Sequence, residues 1–235
     1  CVFGVPAGKL LGYIISNRGI EATPAEIRAL SQLATPTDHK QIQKLTGCVA
    51  ALSRFISRLG EKALPLYRLL RCTEHFEWTD VDTARLEEIK SLLASNPILA
   101  TPNIGEPMLL YTAATHQVVS VVLVVKREED GHKSPLQKPV YYISTVLTPC
   151  KSPYPHYQKI AYAVFMASRK LRHYFQECSI MVAFEVPLND IINNRDAIGQ
   201  IAKWAIELLP FDITYKPRRA IKSQLLANFI AEWTE

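Results

Sequence analysis

Two basic runs are the densest groups of chemically capable side chains in the sequence: Arg169, Lys170, Arg172 and His173, then Lys216, Arg218, Arg219 and Lys222. Guanidinium and ammonium groups so placed suit phosphate oxygens, holding a nucleic-acid backbone without reading its bases. A solvated face with ion pairs has the same composition. The second run tips the balance toward nucleic acid because it falls in a loop, where binding residues are commonly presented. Arg54 and Arg58, four apart on a helical stretch, share a face that would suit a helix lying along a groove, and helix solubility explains them equally well.

Other chemistry finds no constellation. The six histidines are scattered and never fall at metal-ligand spacing on a helix, so none is assigned to a metal. The five cysteines (Cys1, Cys48, Cys72, Cys150, Cys178) are odd in number and never form CxxC, which argues against a disulfide framework or zinc site and fits a reducing compartment. Cys48 and Cys178 read as small packed hydrophobes. Trp78, Trp204 and Trp233 each neighbour an apolar stripe and read as core or interface anchors rather than base-stacking platforms.

At 235 residues, 48% hydrophobic and 21% charged, the chain has the composition of a folded protein with room for one large or two modest cores. Its net charge of +5, from 27 basic and 22 acidic residues, permits nucleic-acid contact without demanding it. No apolar run reaches the roughly 18 to 20 residues of a membrane span, and no signal peptide is indicated. The expected location is intracellular, nucleus or cytoplasm, with no membrane partner. Beginning mid-strand at Cys1 without a methionine, the sequence reads as a piece of something longer.

Those residues must be positioned by two kinds of element. A β-hairpin is expected from Cys1 to Val5, a turn at Pro6 to Gly8, and Lys9 to Ser16. Thr23-Pro24-Ala25-Glu26 is a capped helix start. Ile42, Leu45, Val49, Leu52, Phe55, Ile56 and Leu59 recur at three and four, the period of one helix with a buried face, which Gly47 could interrupt. A short helix, Lys62 to Arg71, follows. Thr79 is placed to cap a helix buried through Val81, Ile89, Leu92 and Leu93 and stopped by Asn96-Pro97. Strands are expected at Met108 to Ala114, Val118 to Lys126, Pro139 to Ser144, Ile180 to Glu185 and Phe211 to Lys216. Helices are expected at Tyr154 to Phe175, Leu188 to Asn193, Ile198 to Leu208 and Ser223 to Trp233. Three antiparallel strands, then helix, strand, helix, strand, helix, is an α/β (α+β) order around a mixed five-stranded sheet with flanking helices.

Several blocks carry a resemblance. GKLLGYIISNRGIEATPAEIRAL (Gly8 to Leu30) and IQKLTGCVAALSRFISRLGEKALPLYRLL (Ile42 to Leu70) resemble the end of the palm and the thumb of a gypsy-class LTR-retrotransposon reverse transcriptase. FEWTDVDTARLEEIKSLLASNPILATP (Phe76 to Pro102) resembles the segment joining that thumb to the RNase H-like domain. KPVYYISTVL, IAKWAIELLPFDITYKPR and AIKSQLLANFIAEW continue the match, most closely to plant elements. The resemblance implies three parts: a palm-end hairpin with a thumb-like helical subdomain (1–75), a joining helix and linker (76–107), and an RNase H-like, connection-type domain (108–235). The hairpin resembles a primer grip, and the metal-binding aspartates of the polymerase would lie upstream of it.

RNase H chemistry needs four carboxylates around two magnesium ions. Aligned on the family pattern, those positions fall at Ala113, at Ile160 (Gln158 if the register slips), at Glu185 and at Asn228, so one acid remains. Asp190 and Glu232 lie nearby in sequence, on faces expected to be exposed. His116 and His156 fall near the same pocket without a nucleophile or acid partner. The resemblance therefore implies no catalytic residue, no bound metal and no cofactor: a noncatalytic piece of a retrotransposon-derived reverse transcriptase. It would contact an RNA/DNA or DNA duplex through its backbone using Arg54, Arg58, Arg169, Lys170, Arg172, Lys216, Arg218, Arg219 and Lys222. The remainder of a polyprotein would be its protein partner. The alternative is a host protein built from such an element and used as a protein-interaction module.

Overall fold

The N-terminal sheet is set by its turns. In the computed structural model, which describes residues 4–71, 76–128, 135–184 and 199–217, β1 (Ala7–Leu10) and β2 (Tyr13–Ser16) pair antiparallel with Leu10 opposite Tyr13. Between them Leu11 (φ 49°) and Gly12 (φ 88°) both take positive φ, as a two-residue turn that follows the strand twist requires. The hairpin is thus shifted from expectation. Its turn falls at Leu11-Gly12 instead of Pro6 to Gly8, and Gly8 lies inside β1. Of the expected first strand, Cys1 to Val5, only Gly4 and Val5 are described, and neither is in a strand.

Two further strands were not legible. β3 (Gly19–Ala22) folds back on β2, and β4 (Ile98–Leu99) joins from far along the chain, giving the order β1-β2-β3-β4. Gly19 has φ 134°, and a Cβ there would stand 2.2 Å from the Leu99 carbonyl oxygen. Backbone conformation and the close approach of β4 both require glycine at this position.

The helices that follow are shorter than the periodicity implies. α1 (Pro24–Ser31) starts after Thr23, but Thr23 makes no side-chain cap bond and its buried hydroxyl has no partner among the described residues. α2 (His39–Ala51) is capped by Asp38, which accepts from the Gln41 amide at 2.8 Å. That contact holds the Asp38 carboxyl below its ordinary range. Gly47 does not interrupt α2. The chain breaks after Ala51 into a 3-10 turn (Ser53–Phe55), α3 (Leu59–Lys62) and α4 (Leu64–Arg71). The stripe from Ile42 to Leu59 is nevertheless buried throughout. α5 (Asp80–Ala94) begins with a closed capping box, Thr79 against Asp82, and Asn96 ends it with φ 49°. It is buried through Leu86, Ile89 and Leu93, whereas Val81 is 61% exposed, contrary to the expected stripe.

A second sheet holds β5 (Met108–Ala114), β6 (Val118–Arg127), β7 (Leu136–Val146), β8 (Ile180–Phe184) and β9 (Ile213–Pro217), in the order β7-β6-β5-β8-β9. β5 pairs antiparallel with β6 and parallel with β8, and β8 pairs parallel with β9, so the sheet is mixed as expected. The central strands are nearly continuous apolar runs because both faces are covered. α6 (His156–Lys170) crosses from β7 to β8 and packs on β5 and β6; it breaks at Leu171, and α7 (Arg172–Glu177) follows. α8 (Gln200–Leu208) lies against α6. The expected helices at Leu188 to Asn193 and Ser223 to Trp233 lie outside the described residues.

Contacts divide the chain into two units, Cys1–Thr101 with Tyr142–Val146, and Pro102–Tyr141 with Leu147–Glu235. α5 thus packs in the first unit. Within that unit Tyr142 adds to the helical core and the Ser144 hydroxyl accepts from the Gly60 amide at 2.8 Å. No described helix is long and apolar enough to cross a membrane.

Candidate nucleic-acid interface

Of the four positions aligned with metal-binding carboxylates, two lie among the described residues. Ala113, near the end of β5 opposite Ser120, is buried, as is Ile160 near the start of α6; Gln158 is half-buried. A methyl and a sec-butyl group offer no oxygen to a hard cation, so these residues do not fit magnesium. Glu185 and Asn228, with Asp190 and Glu232, lie outside the described residues. Among the described residues no three His, Cys, Asp or Glu side chains converge as metal ligands would. Beside Ile160, the buried Lys159 ammonium donates to the carbonyl oxygens of Thr115 (3.3 Å) and His116 (2.9 Å), fixing the β5–β6 turn to α6. His116 and His156 are both exposed.

The basic residues separate into committed and available ones. Arg54 and Arg58 do not share a helix face: Arg54 sits in the 3-10 turn and Arg58 has φ 52° just before α3. The helix of α2 ends at Ala51, before either arginine. The Arg54 guanidinium lies 4.9 Å from the Tyr13 ring centroid, and Arg58 bonds Glu61 at 2.5 Å with both side chains largely buried. These arginines hold their own unit together. In the second unit Arg127 is engaged with Glu106 at 2.9 Å. Its guanidinium holds the Glu106 carboxyl below the ordinary range, and the carboxylate raises the arginine in return.

Arg169 and Lys170 end α6, Arg172 starts α7, and all three are exposed; Lys216 is exposed on β9. Arg218, Arg219 and Lys222 lie outside the described residues. Arg169 and Arg172, on either side of the break at Leu171, both line a cavity of about 550 Å³. A second cavity of about 440 Å³ shares Arg169 and Glu207 with it and adds Lys151 and Lys203. Sequence reading missed those two lysines. They are isolated in the chain and meet only because α8 packs on α6.

The floor between α6 and α8 is aromatic. Trp204, buried as expected of an anchor, has ring centroids 6.1 Å from Tyr154, 5.5 Å from Tyr162 and 5.7 Å from Phe165. Trp78 packs in the first unit and donates to the Thr83 hydroxyl at 2.8 Å; Trp233 lies outside the described residues. Cys178 is buried, which pushes its thiol up, and Cys48 is half-buried.

Comparison with known proteins agrees with this geometry. Residues 78–182 match the RNase H-like domain found in reverse transcriptase. The chain is 28% identical over 233 residues to the Transposon Tf2-3 polyprotein of Schizosaccharomyces pombe, and equally to the Tf2-4 polyprotein, covering 94% of this chain and 17% of each polyprotein. It therefore spans 17% of the length of these curated relatives. Among solved structures it shares the fold of a foamy viral protease-reverse transcriptase. In complex with RNA/DNA hybrid, that protein matches with TM-score 0.73 and 20% identity, covering 93% of this chain and 30% of that one. In complex with dsDNA it matches with TM-score 0.72 and 21% identity, covering 92% and 46%.

Proposed function

We propose that this chain is the thumb and connection-type portion of a gypsy-class retrotransposon reverse transcriptase, of plant type, and that it holds a nucleic-acid duplex without cutting it. One observation carries the reading: an RNase H-like sheet and its crossover helix are intact, while Ala113 and Ile160 are buried and apolar where the resemblance expects metal-binding carboxylates. Core positions keep a fold standing after its site has gone. The β1–β2 hairpin plays the part of a primer grip and α2 to α4 that of a thumb. Catalysis belongs to parts of the longer protein outside this chain.

Duplex contact is supported by the complexes whose fold the chain shares, which hold RNA/DNA hybrid and dsDNA, and by exposed cations at Lys170 and Lys216. Such contacts are electrostatic and indifferent to sequence. The test is the affinity for a labelled RNA/DNA hybrid measured over a range of salt. Affinity should fall steeply with salt, and the double substitution Lys170→Gln, Lys216→Gln should flatten the log–log slope by roughly 1.8, about 0.9 for each lost phosphate contact. No binding at low salt, together with a stoichiometric protein partner, would overturn this reading in favour of a host protein-interaction module.

A further inference from the structure

We propose that the trough between α6 and α8 is a separate site for single-stranded nucleic acid. It rests on the reading above only in taking the polyanion to be nucleic acid. Four cations, Lys151, Arg169, Arg172 and Lys203, line the two adjoining cavities, against one carboxylate, Glu207. Arg18, Arg58, Lys62, Arg85, Lys90 and Arg127 each sit within 3.0 Å of a carboxylate. In the trough the one ion pair among the described residues is Arg169 to Glu207, stretched to 3.9 Å between two exposed side chains. Positive charge is therefore concentrated there, four cations against one loosely paired carboxylate.

Two of these cations are also held in place. The Lys151 ammonium lies 5.0 Å from the Tyr162 ring centroid and the Arg169 guanidinium 5.5 Å from that of Phe165. A long side chain pinned over a ring has less rotamer freedom to lose when a phosphate arrives. The rings are fixed in turn by their packing on Trp204. Tyr154 and Tyr162 remain half-buried, leaving part of their surface to the trough. Cations tracking a groove beside aromatic side chains are what sequence-tolerant single-strand binding uses. A single strand presents its base faces to such rings, whereas a duplex keeps them stacked inside. An acidic peptide would satisfy the charges and leave the tyrosines unused.

The experiment compares a fluorescently labelled oligo-dT of about a dozen nucleotides with a blunt RNA/DNA hybrid, on the full chain and on Lys151→Gln, Lys203→Gln. The expected result is an oligo-dT affinity at least about tenfold weaker, with a salt slope flatter by roughly 1.4, about 0.7 for each phosphate on a single strand. Hybrid affinity should stay within about twofold. Lys203→Glu, at an exposed position, reads the same contact should the double variant not fold. Unchanged oligo-dT affinity, an equal loss for hybrid, or displacement by poly-glutamate as effective as by oligo-dT would each overturn the proposal. Hybrid binding without oligo-dT binding sinks this site and leaves the duplex reading standing; oligo-dT binding without hybrid binding does the reverse.

Discussion

Ala113 and Ile160 show how far residue identity alone carries the argument. Their lack of oxygen ligands is legible in the sequence, but that both are buried in intact elements needed the fold. Lys151 and Lys203 were invisible for the opposite reason, since neither has a basic neighbour in the chain close enough to mark a cluster. Two residues give sharp tests. Gly19→Ala forces a side chain into φ 134° and against the Leu99 carbonyl, so it should lower stability by about 1–3 kcal/mol in a urea melt. Glu106→Gln tests the pair with Arg127. Because the folded carboxyl titrates below its ordinary range, its contribution to stability is full above that range and disappears as pH falls through the lowered value. Thermal melts should show the variant less stable at neutral pH and equal to wild type in acid, and an undiminished gap in acid would contradict the assignment.

At the scale of elements, hydrophobic period located what is buried better than it located where helices end. Every residue of the Ile42 to Leu59 stripe is buried, yet three elements share it, because after Ala51 tertiary packing keeps the apolar side chains inward without a continuous helix. The spacing of Arg54 and Arg58 therefore implies a shared face that the fold does not give them. The strands of the second sheet were read to within a few residues because short apolar runs of strand length, rich in β-branched residues, mark them directly. β3 and β4 were missed, since four-residue and two-residue strands carry too little pattern and β4 pairs across most of the first unit. Caps look alike in sequence and differ in fact: Thr79 closes its box with Asp82, while the buried Thr23 hydroxyl has no partner among the described residues. Thr79→Val should therefore cost about 1 kcal/mol. Thr23→Val should be neutral or stabilising, because it removes a buried polar group that bonds nothing among the described residues. Chemical denaturation of the two variants side by side separates the cases.

For the whole molecule, the fold is the shared feature and the exposed cations are the basis of the proposed use. The sheet in the order β7-β6-β5-β8-β9 has α6 packed on it, and the ends of α6 and α7 expose cations while Ala113 and Ile160 are buried hydrocarbon. The match of residues 78–182 to the RNase H-like domain found in reverse transcriptase, and the 28% identity to Tf2 polyproteins, are the sequence likenesses that stand beside the shared fold. The measurement that bears most directly on the account is incubation of an end-labelled RNA/DNA hybrid with the full chain and magnesium at low salt, followed by inspection of both strands. The account predicts a salt-sensitive complex with both strands intact. Cleavage that disappears in Glu185→Gln would contradict it, because the remaining acid would then be serving a working nuclease site.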